Sequence, residues 1–286
     1  MSLNPFEGLS KLNKEEYQNL SSFELYKKVE ELCPSFQEGQ VEDLFLFFYF
    51  INLLVKSNID FVIKGGVLLN MFLGKHARPC NDIDVYVKDP NEFFNKVNKV
   101  LENESEDFSF KTRWIHSREA DAMYYQNTFA FEVSAYHNES FVKKFNVDGT
   151  YMNDFDNLKR IKYVGPKVID KDFYFYGVDL VHMVVIKTLA CTSEQSRPIK
   201  HLVDLYSLIH LQFNIKEYKK ELFRQLENEN RIRKSIGIPL LYGKITIQES
   251  KRFFDPFLLT ELSAGYNLSM QEMIDEINQW LDTNVN

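Results

Sequence analysis

Apolar residues recur at three- and four-residue steps early in the chain, alternate with polar ones through its middle, and return to helical steps near the end. Leu20, Phe23, Leu25, Tyr26, Val29 and Leu32 predict a helix over residues 14–32, ended by Cys33-Pro34-Ser35. A second, strongly apolar helix is expected over Val41–Ser57. Its run from Leu44 to Val55 is bracketed by Glu42, Asp43 and Lys56. That run falls short of the roughly 20 apolar residues a bilayer requires, so it reads as a buried helix. Asp60–Lys64 reads as a short strand ending at Gly65-Gly66, followed by a helix over Val67–Gly74. Asp82–Val87 is a strand closed by Lys88-Asp89-Pro90. The next helix turns Phe93, Phe94, Val97, Val100 and Leu101 inward.

Strand signals then dominate. Phe108–Trp114 and Ala122–Tyr125 are candidates, and Thr128–Tyr136 alternates clearly, with Phe129, Phe131, Val133 and Ala135 on one face. Residues 137–162 are polar and read as loop-rich, and Phe173–Tyr176 reads as a short strand. Gly177-Val178-Asp179 opens a helix over Leu180–Thr192. Ser193–Pro198 interrupts it, and Ile199–Leu211 resumes. Further helices are expected over 215–233, 247–254 and 257–283. The pattern therefore divides into a mixed domain over 1–176 and a helical domain over 177–286.

Composition narrows the class. The 286 residues are 44% hydrophobic and 26% charged, enough for a sizeable core in one or two domains. The net charge of −7 argues against a general nucleic-acid coat protein, though not against an enzyme gripping RNA through one basic patch. Lys143-Lys144, Lys159-Arg160-Lys162 and Arg231-Ile232-Arg233-Lys234 are the candidate phosphate contacts in that case. Cys33, Cys80 and Cys191 have neither zinc spacing nor a disulfide framework. Reduced thiols, no signal pattern and no membrane segment point to a cytoplasmic protein.

Asp82-Ile83-Asp84 carries the chemistry. Side chains alternate along a strand, so Asp82, Asp84 and Tyr86 share one face while Ile83, Val85 and Val87 face the core. The two aspartates stand about 6.6 Å apart along the strand, close enough to ligate one divalent ion. Upstream, Gly65-Gly66 ends a strand and starts a helix, where free N–H groups and close backbone approach can cradle phosphates. No Walker lysine or dinucleotide glycine pattern follows. Glu132 is the candidate third carboxylate, an acid in mid-strand on the face opposite the phenylalanines. Trp114, Tyr124 and Tyr125 read as core packing or as base-stacking rings.

Lys64-Gly65-Gly66 followed by Arg78-Pro79-Cys80-Asn81-Asp82-Ile83-Asp84 resembles the nucleotidyltransferase superfamily pattern, and more closely the AbiEii-like nucleotidyltransferase toxins. That family carries Ser or Thr where this chain has Cys80. Lys187 matches a helical lysine of the family. Arg197 and Asp204 match a later motif in part, with Lys200-His201 standing where the family has Arg-Asp. The resemblance implies an α+β fold: a nucleotidyltransferase-type short mixed β-sheet flanked by helices, with an appended C-terminal helical domain. It implies transfer of a nucleoside monophosphate from a nucleoside triphosphate to an acceptor hydroxyl, using Mg²⁺ or Mn²⁺ held by Asp82, Asp84 and Glu132. Lys64, Gly65, Gly66, Arg78 and Lys187 would bind the nucleotide. The implied partners are tRNA or another RNA as acceptor and a cognate antitoxin, with a role in a toxin–antitoxin or phage-defence system. A small-molecule nucleotidyltransferase and an inactive protein-binding relative are the alternative classes.

Overall fold

A computed structural model describes residues 40–74, 77–102, 108–119, 127–137, 139–165, 169, 172–192, 198–235, 237, 240–241, 243–247 and 269–286. The helix expected over 14–32, the strand over Ala122–Tyr125, the Ser193–Arg197 interruption, residues 248–254 and the first part of the 257–283 helix lie outside these residues. Among the described residues the chain forms seven strands and seven α-helices. None of these helices is long and apolar enough to cross a membrane.

The strands are β1 (Val62–Lys64), β2 (Asp82–Val87), β3 (Phe108–Arg118), β4 (Thr128–His137), β5 (Ser140–Tyr151), β6 (Ile161–Val164) and β7 (Tyr174–Gly177). They make one mixed sheet in the order β3-β4-β5-β2-β1-β7-β6. The β2–β5 and β1–β7 pairings are parallel and the others antiparallel.

One sheet face is the core. Helix α1 (Gln40–Lys56) is apolar all round and is accordingly buried from Leu44 through Leu54. Its Phe45, Phe47, Phe48 and Phe50 pack on Phe108, Phe145, Phe175 and Phe110 of the sheet. Each such ring contributes roughly 2–3 kcal/mol by leaving water. Helix α3 (Pro90–Leu101) covers the same face with Phe93 against Phe129 and Phe131. Its start is set locally, because Asp89 accepts from the Asn91 and Glu92 N–H groups and Pro90 occupies the first turn. Between them in sequence, α2 (Gly65–Leu73) follows β1 with no intervening loop.

The stretch 137–162 departs from the sequence reading. Most of it is strand: β5 runs twelve residues and a 3₁₀ turn at Phe155–Asn157 leads to β6. Its pattern does alternate, with Phe145, Val147 and Gly149 inward and Asn146, Asp148 and Thr150 opposite. Gly149 conceals it. Asp148-Gly149 reads as a turn dipeptide, yet here the glycine sits in mid-strand, where a Cβ would lie 2.1 Å from the Phe129 ring.

The chain divides into two compact units. The first holds described residues 40–74, 79–119 and 127–178, with the sheet and α1–α3. The second holds Ala77, Arg78 and residues from Asp179 on, with α4 (Leu180–Thr192), α5 (Pro198–Ile209), α6 (Ile215–Ser235) and α7 (Met270–Asn284). Asp179 opens α4 by accepting from the His182 N–H at 2.8 Å, and Ser269 with Glu272 forms a capping box on α7.

Candidate active site

On the sheet face opposite the core, neighbouring strands bring residues together in rows. Residues opposite one another in the ladder share a face. Lys64 of β1 pairs with Asp84 of β2, Asp84 with Asp148 of β5, and Asp148 with Ala130 of β4. The adjacent row runs Asp82, Asn146, Glu132, Arg113. Asp82 and Asp84 thus share the face expected of them, half-buried, with Lys64 beside them. The Lys64 ammonium donates to Thr150 Oγ1 at 2.7 Å and sits 4.3 Å from the centroid of the Tyr86 ring.

The acid that adjoins the pair in the ladder is Asp148, while Glu132, the expected third carboxylate, stands farther along the same face. Asp148 is the direct register partner of Asp84 on the adjoining strand. Glu132 lies two strands from Asp82, about 10 Å away at ordinary strand spacing. Its carboxylate is taken by Arg113 and Lys144, each at 3.2 Å. The hydrogen bond from Arg113, reinforced by Lys144, lowers the Glu132 pKa. The alternation signal put Glu132 on the correct face. It carries no information on which strand adjoins β2, and Asp148 lies in the stretch whose polar sequence predicts loop.

The glycine turn reaches the same carboxylates. Gly65 has φ +64°, and a Cβ there would lie 1.8 Å from Asp84 Oδ2. The Gly66 N–H, at the start of α2, donates to that oxygen at 3.4 Å. The turn therefore lets the beginning of the helix close on Asp84, and one of its free N–H groups is directed at the carboxylate. At Gly66 an added Cβ would come within 2.3 Å of Cys80 Sγ. Cys80 is buried and its thiol donates to the Asp82 carbonyl at 3.0 Å. Asn70 donates to the Gly66 carbonyl at 2.8 Å and fixes the first turn of α2 from within.

Asp82, Asp84 and Asp148 supply only carboxylate oxygens, the hard donors that suit Mg²⁺ or Mn²⁺. Among the described residues no three His, Cys, Asp or Glu side chains already stand as a closed metal-binding group. The fit to an ion rests on donor chemistry and register.

The second unit holds its own charged cluster. Asp204 on α5 is 2% exposed and accepts from Lys187 of α4 at 2.7 Å. Arg78 grips the same carboxylate with two bonds, from Nε at 3.0 Å and Nη2 at 3.3 Å. Burial pushes the Asp204 carboxyl up, but Lys187 and Arg78 outweigh it and hold the pKa at about 2. His201 Nδ1 lies 3.4 Å from Lys187 Nζ. Burial, with the Lys187 charge adding, drives its pKa well below the ordinary imidazole value, so the ring is neutral. Arg197 lies outside the described residues.

A family model, the AbiEii nucleotidyl transferase toxin of type IV toxin–antitoxin systems, matches residues 52–282. The chain belongs to the AbiEii family. It is accordingly a nucleotidyltransferase of the toxin–antitoxin class. Its fold is that of MenT4, a nucleotidyltransferase toxin from Mycobacterium tuberculosis H37Rv. The two superimpose with a TM-score of 0.62 at 13% identity, over 94% of this chain and 91% of that one. JHP933 from Helicobacter pylori follows at 0.45 and 12%, covering 87% of this chain and 95% of its own. An antigenic nucleotidyltransferase-like protein from Paracoccidioides brasiliensis gives 0.43 and 15%, with 68% and 91% covered. No curated protein sequence matches.

Two departures from the AbiEii pattern acquire a physical meaning. Cys80, in place of Ser or Thr, turns its thiol into the packing between Gly66 and the start of β2. His201, in place of an acid, lies uncharged against Lys187 and leaves Asp204 as the anion that Lys187 and Arg78 share.

Proposed function

We propose that the chain transfers a nucleoside monophosphate from a nucleoside triphosphate to a hydroxyl of an RNA acceptor, with Asp82, Asp84 and Asp148 as the catalytic carboxylates. The observation that carries this reading is the row in which Asp148 adjoins Asp84 on the face that also holds Asp82 and Lys64. In the reaction the acceptor oxygen bonds to the α-phosphorus, the bond from that phosphorus to the β-phosphate bridge breaks, and pyrophosphate leaves. The hydroxyl proton passes to a neighbouring carboxylate or to water.

A divalent ion held by the three aspartates would neutralise phosphate charge and lower the pKa of the attacking hydroxyl. Lys64 places a fixed ammonium on the same face, oriented by Thr150 and Tyr86. Gly65 and Gly66, the residues proposed to meet the phosphates, let the start of α2 close on Asp84 and Cys80 and so position Asp84. Arg78 and Lys187 are the cations proposed for the nucleotide phosphates, and Asp204 fixes both side chains. A cognate antitoxin is the partner that membership of a toxin–antitoxin family leads us to propose.

The test is incubation with each α-labelled triphosphate, Mg²⁺ and bulk tRNA. Label retained on RNA and lost with Asp84→Asn supports the proposal. Label found only on small molecules moves the acceptor to that class, and no label anywhere rejects transfer.

A further inference from the structure

The basic groupings visible in the sequence fare differently in the fold. Lys143 faces the core side and pairs with Asp43 of α1. Arg160 is taken by Asp60 at 2.6 Å, and Lys162 lies over the Tyr174 ring. Arg233 is buried against Glu229. Lys144 differs: β-alternation turns it onto the carboxylate face, where its side chain is 53% exposed.

Two further cations share that face. Lys111 and Lys144 are both register partners of Ser134, so they flank it in one row across β3, β4 and β5. Arg113, 72% exposed, stands in the adjacent row opposite Glu132. Lys111 is exposed, and its ammonium rests over the Tyr136 ring at 5.1 Å. The rows continue directly into the carboxylates. Asn146 is the partner of Asp82, and Lys144 lies two residues along the same strand. At ordinary strand spacing and rise its Cα is roughly 8 Å from that of Asp82. In a chain of net charge −7 this is a local inversion of sign.

From this arrangement we infer that Lys111, Arg113 and Lys144 form the binding surface for the phosphodiester backbone of the acceptor, with Glu132 as a built-in counter-ion that acceptor phosphates displace. The inference rests on the transfer reading above and adds to it the path by which the acceptor reaches the carboxylates. Glu132 is 15% exposed and touches both Arg113 and Lys144, so it holds the two cations at one spacing and screens them while no acceptor is bound. A phosphate presents the same oxygen chemistry with more charge, and Arg is suited to grip it bidentately. Binding by such a surface depends on backbone charge, not base identity, and weakens steeply with salt.

The experiment measures binding of a fluorescent single-stranded RNA and of bulk tRNA over a series of salt concentrations. It compares wild type, the Lys111→Gln/Arg113→Gln/Lys144→Gln variant, and Glu132→Gln. Loss of three phosphate contacts reduces the log–log salt slope by about two. We expect that reduction with at least about tenfold weaker binding at low salt in the triple variant. Glu132→Gln shifts binding the opposite way, to tighter affinity, which loss of folding cannot produce. A triple variant with the wild-type slope and affinity overturns the inference, as does a Glu132→Gln variant that binds more weakly. Nucleotide transfer to RNA, assayed separately, reports on the reaction itself. Transfer that persists while the triple variant binds normally sinks only the surface. Absent transfer with the binding pattern intact sinks only the reaction.

Discussion

Asp148 stands directly beside Asp84 on the adjoining parallel strand, while the helix that starts at Gly65 closes on Asp84 from the other side of the turn. Asp84 is therefore the residue on which the sheet and the glycine turn converge. The most informative variants disturb one of those two supports at a time.

Gly65→Ala acts on the turn. Alanine in the left-handed region costs about 1–2 kcal/mol, and its Cβ would occupy the space of the Asp84 carboxylate. We expect a modest fall in melting temperature with a loss of transfer far larger than that fall explains. Transfer by a folded Gly65→Ala protein at the wild-type rate would disconnect the turn from the carboxylate.

Gly66 and Cys80 are expected to behave as a coupled pair. Gly66→Ala alone drives a Cβ into the Cys80 sulfur. Cys80→Ala removes that sulfur and its bond to the Asp82 carbonyl. The double variant should be more stable than the sum of the single losses predicts, with a coupling of about 0.5–3 kcal/mol in a denaturant-unfolding cycle. Simple additivity would show that the contact is not energetically real.

The Asp204 cluster makes a prediction about acid stability. Its carboxyl is held at about 2 against an ordinary value of 3.8, so ionisation of Asp204 favours the folded state above pH 3.8. That contribution, roughly 2 kcal/mol, fades as pH falls from 3.8 through 2. Asp204→Asn leaves Lys187 and Arg78 without their shared anion and costs about 3–5 kcal/mol near neutral pH. The gap between wild type and variant should narrow in acid. A gap that stays constant across that range assigns the loss to packing.

The main elements were legible because their patterns are strong. The apolar run of α1, the alternation of β2 and β4 and the glycine turn each specify local structure with little help from the rest of the chain. Asp82 and Asp84 followed from alternation within one strand. Asp148 did not, because Gly149 interrupts the apolar half of the β5 pattern to make room for Phe129, a contact made across the sheet. Alternation puts Glu132 on the face it occupies but leaves open that β5 stands between its strand and β2, since strand order depends on pairings distant in sequence. The sharing of Asp204 by Lys187 and Arg78 was equally hidden, as Arg78 and Asp204 are 126 residues apart.

The two candidate third carboxylates give the most direct test of the catalytic assignment. Steady-state transfer of α-labelled nucleotide to RNA should be measured for wild type, Asp148→Asn and Glu132→Gln at fixed Mg²⁺, separating kcat from KM. We expect Asp148→Asn to lose at least about 100-fold in kcat, the scale set by removing one preorganised catalytic group. Glu132→Gln should show its effect in the KM for RNA and in its salt dependence. The opposite pattern, with kcat abolished by Glu132→Gln and retained by Asp148→Asn, would contradict the assignment.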